Sequence, residues 1–497
     1  MRKQFFLQPG NRTKYGYDAA NRQIQRKYPD GSRVTQVYDV IGNRTLLRDA
    51  TGRYTATFDA LDRLSVRTNP ANKRITYTYD GISQRRRLAD PDGGLFTTVY
   101  DAARRITKII NPQAVRTTFG YDTANRRTVK VLGNSSRTTF TYDNADRLTR
   151  LVNIKSSGVT ISSFGYRYDK TTRRTGVTEA SGDRVTWTYD PTYQLVNEKR
   201  SGVNSYNVTY TYDPAGNRTV KMESGARTTS TYDAANRLKT AQDGTGRTTF
   251  TFDAAGNQTK QVSPSGTITT SVWNFENMNT ATRLSSSSIV TLVYNGDQMR
   301  VEKDSSSSTR KLIYDGQNIL QETDGSNLTQ AAYTLEPQEF GNLVSQRQNQ
   351  SGTWVQVYYA FDGLGSTDSL TNGSQVITDT YTYFAFGVIK ASTGTTTNLF
   401  TWVGQLGYVR DTETGEYQLH VRQLLPDRGR FKSQDPLGVQ PDANLARYVG
   451  NSPVTETDPS GQSPAEDTVA KIKRQLGLSD EVADALQEQL VAFDNLT

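Results

Sequence analysis

The sequence predicts an all-β protein. It should be a long spiral antiparallel sheet of tandem β-hairpins forming a shell or partial shell, with a short α-helical C-terminal tail. Three observations predict it. An aromatic–acidic pair recurs about every 21 residues, aromatic residues alternate with Thr just before each pair, and Asp, Asn and Gly punctuate the intervals.

The period comes first. Fifteen aromatic residues start such pairs, from Tyr17 to Tyr314, and twelve of the fourteen spacings between them are 20 or 21 residues. Asp follows in every case except Asn274 and Asn295. A fixed period of this length marks a repeat architecture. Before the pair, rings stand two residues apart: Tyr77 and Tyr79, Phe140 and Tyr142, Tyr210 and Tyr212, Phe250 and Phe252. Period two belongs to a strand and puts both rings on one face. The intervening Thr residues suit the other face. After the pair come small residues, then Asn or Gly, then Arg. Asp and Asn bond nearby backbone and tolerate left-handed geometry, so this stretch is a turn. A second strand follows, and a turn such as Asp30-Gly31 or Asp243-Gly244 returns the chain. Each repeat is one hairpin. No hairpin is stable alone, but hairpins in series bury their aromatic faces against neighbours. A sheet this long must twist, so it should coil around a space. In this reading Tyr packs and Asp caps a turn; no repeat residue is catalytic.

Composition narrows the chemistry. The chain has 497 residues, no Cys and one His, His420. Disulfides, thiol nucleophiles and Cys-ligated metals are excluded, and a His triad or multi-His site is not supported. Neither a cofactor nor a metal is expected. His420 lies in a strand-like run and reads as a packed residue. Apolar residues are 34 %, with 28 Tyr and 39 Gly, which suits a β-rich protein with much exposed surface. The net charge is +9, yet Arg and Asp are interspersed and no basic stripe forms, which argues against nucleic acid as partner. No apolar run is long enough to span a bilayer. The first residues lack a signal-peptide core and enter directly into repeat sequence, like the middle of a longer protein.

The tandem YD…NR units resemble the YD repeats of bacterial Rhs and wall-associated proteins, Tc-toxin C components and animal teneurins. The resemblance covers nearly all of 11–335, and 1–335 is taken as the wall. It implies a hollow β-shell around a cargo. After residue 336 the rhythm fades, and a denser series of motifs runs to 462: YYAFDGLGS (358–366), YTYFAFG (381–387), VGQLGYVRDTETGEYQLHVR (403–422), GRFKSQDPLG (429–438) and NLARYVGNSPVTETDPSG (444–461). Together these resemble the Rhs repeat-associated core. That resemblance implies a plug at one end of the shell and an intramolecular aspartic-type autoprotease. Arg422, Asp435 and Asp458 stand at the family's catalytic positions. The implied cut falls between Gln462 and Ser463, after Asp458-Pro459-Ser460-Gly461-Gln462. The sequence departs from the family pattern at Gln462, where Leu is usual, and at Leu424 and Leu425, where Tyr and Asp are usual. Ala360 and Ala446 likewise replace His and Tyr.

The chemistry is reasonable from the residue types. Two Asp held close cannot both ionise cheaply, so they share a proton. The ionised one removes a proton from water and the other donates to the carbonyl or leaving amide. Arg422 orients a carboxylate through its two-pronged donors or stabilises developing negative charge.

The last stretch, 463–497, carries seven acidic and three basic residues. Val469, Ile472 and Leu476 have helical spacing with Gly477 as a stop, and Ser479 can cap a second helix. A helical hairpin is expected here, too short for an independent enzyme.

Two functions follow. The first is a toxin-delivery shell, secreted or at the cell surface. It encloses its own C-terminal segment, is served by a secretion apparatus or a shell-completing protein, and frees the segment by self-cleavage. The second is a non-enzymatic cell-surface wall whose Tyr-rich faces stack on glycans.

Overall fold

The computed structural model describes residues 12–284, 288–438 and 442–462. The expected helical tail lies outside them, as does Ser463. Among the described residues, thirty-six strands form one sheet, from Lys14–Tyr17 to Ile389–Thr393. Strand follows strand in antiparallel pairs, each with its sequence neighbour, so the sheet is an unbroken meander. It coils as a spiral that does not close. The meander continues past residue 335 through Leu343–Gln350 and Thr353–Phe361. The rhythm fades there because strand lengths change, while the same turn persists. Asp362 Oδ1 still accepts from the Leu364 and Ser366 N–H groups at 2.9 and 2.8 Å.

One repeat shows why the sequence folds this way. The strand Arg116–Tyr121 ends at Asp122. Asp122 Oδ1 accepts from the N–H groups of Ala124 at 3.0 Å and Arg126 at 2.9 Å, and Oδ2 accepts from Arg126 Nε at 2.8 Å. Asn125 turns the corner at φ 64°, the left-handed region that Asn tolerates. Arg126 then reaches the next repeat. Its Nη1 donates to the Asp143 carbonyl at 3.0 Å, and its guanidinium lies 5.0 Å from the Tyr142 ring centroid. Tyr142 closes the link by donating its hydroxyl to the Arg127 carbonyl at 2.9 Å. The same hydroxyl bond recurs at Tyr79, Tyr121, Tyr189 and Tyr314. A register shift falls beside the motif Tyr in successive hairpins, adding local twist.

A different Arg ties one stretch of the ribbon to another. Arg44, Arg85 and Arg127 each follow a turn. They make two-pronged contacts with Asp297 at 2.7 and 2.6 Å, Asp315 at 2.8 and 2.7 Å, and Glu336 at 2.8 and 2.6 Å. Arg127 also lies 4.4 Å from the Phe119 ring centroid. Burial works against its charge, but Glu336 more than offsets this and the pKa rises above the ordinary value.

A second, four-stranded sheet comprises Val409–Arg410, Tyr417–Leu419, Arg422–Leu425 and Arg430–Phe431. It packs with Trp402, Tyr408 and Tyr448 against Leu195, Tyr206, Val208 and Tyr210 of the ribbon. The ribbon is altered to receive it. Gly216 takes the left-handed turn position at φ 75°, and a Cβ there would stand 2.3 Å from Arg447 Nη1. Asn217 replaces the usual Arg and accepts from Asn444 Nδ2 at 2.8 Å.

The Glu336 side chain is 1 % exposed, so Glu336→Gln strands the Arg127 charge. Stability should fall by about 3–5 kcal/mol, while Arg127→Met with Glu336→Leu should recover most of it. Denaturant unfolding of both variants checks this; equal losses would disprove it.

Candidate functional site

The small sheet and the two Asp-Pro turns build one site. Arg422 begins the strand Arg422–Leu425, and its side chain is 1 % exposed. Its Nη2 lies 2.9 Å from Asp435 Oδ2 and 3.1 Å from Asp458 Oδ2. Its Nη1 donates to the Leu445 carbonyl at 3.3 Å, and its Nε donates to the Gly461 carbonyl. The guanidinium carbon is 3.6 Å from the Phe431 ring centroid. Burial pushes the guanidinium below its ordinary value, against the pull of Asp458 and Asp435. It nonetheless stays charged, as arginine does in proteins.

Each Asp also shapes its own turn. Asp435 Oδ1 accepts from the Leu437 N–H at 2.8 Å, and its own N–H donates to the Leu445 carbonyl at 2.8 Å. Asp458 Oδ1 accepts from the Gln462 N–H at 3.1 Å and is 3.0 Å from Ser460 Oγ. The Asp458 N–H donates to Tyr408 Oη at 2.6 Å. Tyr408 and Tyr448 share a hydrogen bond of 2.8 Å. Burial, with the Tyr448 and Asp458 charges behind it, pushes the Tyr408 hydroxyl well above its ordinary value, so it stays neutral. Gly461 lets the turn reach the sheet: a Cβ there would stand 2.0 Å from the Leu419 carbonyl oxygen.

The structure thus brings Arg422, Asp435 and Asp458 together, with Gln462 on the same turn as Asp458. One cation serves two carboxylates, so full ionisation leaves one surplus negative charge among these three side chains. That suits a pair that works across a single proton. Trp402, Tyr408 and Tyr448 around the site were not anticipated; Trp402 stands 5.7 Å from both Tyr rings. The signal available was the density of aromatic motifs after residue 380. His420 departs from expectation. It occupies the turn between Tyr417–Leu419 and Arg422–Leu425 at φ 42°, edge-on to Phe340 at 5.2 Å. Its ring is packed as expected, but outside a strand. Among the described residues no acidic, His or Cys group is arranged to hold a metal.

Comparison with known proteins agrees with the fold. The family model of the teneurin YD-shell matches residues 62–199, and that of the RHS repeat matches residues 232–268. The chain is a YD-shell protein built from RHS repeats. It is 30 % identical over 114 residues to toxin subunit YenC2 of Yersinia entomophaga, covering 22 % of this chain and 12 % of the relative. It is 42 % identical over 55 residues to toxin protein Tse5 of Pseudomonas aeruginosa, covering 11 % and 4 %. It is 35 % identical over 101 residues to salivary gland surface protein 1 of Aedes aegypti, covering 20 % and 3 %. The crystal structure of TcdB2-TccC3-TEV superposes with a TM-score of 0.73 at 18 % identity, covering 90 % of this chain and 27 % of that one. The chain therefore spans a small part of the length of the relatives it matches.

Two measurements test this local geometry. Gly461→Ala should melt well below Gly415→Ala. Both carry strain from a positive φ of about 1–3 kcal/mol, but only Gly461 faces a clash. Equal melting temperatures would contradict the packing. Burial pushes His420 down to about 4. Its folded pKa lies below the unfolded value of about 6.5. Its stabilising contribution is therefore complete above that value and is lost as pH falls toward 4. His420→Gln should flatten stability over that window, and the single imidazole resonance should titrate near the lower end.

Proposed function

We propose that this chain is wall and plug of a toxin-related shell. It encloses its own C-terminal segment and releases it by cutting the Gln462–Ser463 bond. The carrying observation is the Nη2 of Arg422 bonded to both Asp435 and Asp458, with Asp458 at the head of the turn that ends at Gln462. Arg422 holds both carboxylates by charge-assisted bonds and holds the substrate backbone at Gly461. Asp435, when ionised, takes the proton of a water; Asp458, carrying the shared proton, serves as acid. The substrate is part of the same chain, which removes most of the entropic cost of encounter. Gln462 in place of Leu and Leu424 and Leu425 in place of Tyr and Asp leave these three side chains unchanged. An open spiral needs further wall to enclose a cargo, from the same polypeptide or from a shell-completing partner. Delivery outside the cell accords with this reading. No helix among the described residues is long and apolar enough to cross a membrane.

The glycan-binding wall is less well supported. The repeat's rings are engaged by Arg stacking and by hydroxyl-to-carbonyl bonds. The exposed rings Tyr15, Tyr17, Tyr193 and Phe275 form no common platform along the motif.

Intact-mass measurement of the expressed chain tests the proposal. A fragment ending at Gln462 is expected. Asp435→Asn and Asp458→Asn should each slow its appearance by about 10²–10⁴-fold. A chain that stays whole from acid to neutral pH would remove the processing role and leave the wall.

A further inference from the structure

Ser460 sits inside the Asp-Pro turn, and its hydroxyl has a position that the pattern of acids alone does not explain. Ser460 Oγ lies 3.0 Å from Asp458 Oδ1 and 3.0 Å from the Gln462 carbonyl oxygen. The Gln462 N–H also approaches it, at 3.1 Å. A serine hydroxyl has one hydrogen to donate and two lone pairs to accept with. Two acceptors therefore compete for one hydrogen, and the protonation of Asp458 decides between them. When Asp458 is ionised, its charge draws the hydrogen. When Asp458 carries the proton on Oδ1, it donates to Ser460 Oγ, and the serine hydrogen turns to the Gln462 carbonyl.

We propose that Ser460 is a catalytic residue of the self-cleavage, relaying the Asp458 proton to the carbonyl oxygen of Gln462. This rests on the reading of the chain as an autoprotease. The step balances as a hydrolysis. Water oxygen bonds to the Gln462 carbonyl carbon as ionised Asp435 takes a water proton. The carbonyl oxygen receives the Ser460 hydrogen, and Ser460 receives the proton of Asp458. A neutral tetrahedral diol results, with Asp435 protonated and Asp458 ionised. On collapse, Asp435 returns its proton to the amide nitrogen of residue 463 and the carbon–nitrogen bond breaks. One diol proton returns through Ser460 to Asp458. The products are a free carboxyl on Gln462 and a free amine on the released segment, with all three side chains restored.

The relay places the donor where charge develops. The bond to the Gln462 oxygen strengthens as that oxygen becomes negative, so it stabilises the transition state more than the resting chain. Sequence pattern gives no hint of it, because a serine between Pro and Gly is an ordinary turn residue.

The test uses the full chain, with cleavage rate read by intact mass. Ser460→Ala removes the relay and should slow cleavage by about 10²-fold, the scale of losing one oxyanion donor. Ser460→Thr keeps a hydroxyl and should restore the rate. Ser460→Cys keeps the size with a far weaker donor and should remain slow. The melting temperature of each variant is measured alongside. If Ser460→Ala is misfolded, the Thr and Cys pair decides, since both fill the site and differ in the donor. Proton inventories in mixed light and heavy water should change from curved in the wild type to linear in Ser460→Cys. Wild-type chain that cuts while folded Ser460→Ala or Ser460→Cys cuts equally fast overturns the relay and leaves the autoprotease standing. Wild-type chain that never cuts overturns both.

Discussion

An isolated two-stranded hairpin is marginal in water, and the whole architecture depends on how one hairpin is bound to the next. Backbone pairing alone would let hairpins slide, because thread-like sheets with small polar residues specify register weakly. Here the side chains fix it. Asp122 organises its own turn, Arg126 carries the contact forward to Asp143 and Tyr142, and the Tyr142 hydroxyl returns to the Arg127 carbonyl. Each link joins neighbours only, so stability accumulates along the ribbon as nearest-neighbour terms. The motif is short and polar because most of its work is done at the turn.

Nearest-neighbour links explain a ribbon but not its curvature. The long-range contacts do that. Arg44, Arg85 and Arg127 meet acids 253, 230 and 209 residues further on. A planar guanidinium suits this task, since it stacks on a ring of its own strand while meeting a carboxylate with two bonds. The four-stranded sheet lies on the same framework, and the ribbon admits it where Gly216 and Asn217 interrupt the usual Asn-Arg ending.

Much of this was legible in the sequence because the motif is local. Every partner of Asp122 lies within four residues, and the next Tyr lies one period away. A regular spacing therefore reports both. The contacts between distant stretches leave no such trace: Arg127 and Glu336 share no spacing rule. At the site, Arg422, Asp435 and Asp458 were legible through the resemblance of their motifs, and geometry could not have been inferred from spacings of 13 and 23 residues. His420 was misplaced because an alternating run continues across a tight turn. Ser460 was invisible because its role depends on where one hydroxyl points.

The departures from the family pattern take on a physical meaning in this setting. Leu424 is fully buried, pairing with Tyr417 on one side and Phe431 on the other. It fills the apolar side of the strand on which Arg422 stands, so the exchange of Tyr for Leu is a repacking of the layer behind the guanidinium. Leu425 sits at the strand's far end, where its carbonyl accepts from the N–H groups of Arg428 and Gly429 at 3.1 and 2.8 Å. That role belongs to the backbone and is indifferent to the side chain. Gln462 is held by its own N–H to Asp458 and by its carbonyl to Ser460, again backbone contacts. The groups that would do chemistry are thus fixed by Arg422, by Gly461 and by the Asp-Pro turns, and the substituted side chains lie on surfaces that do not set their positions.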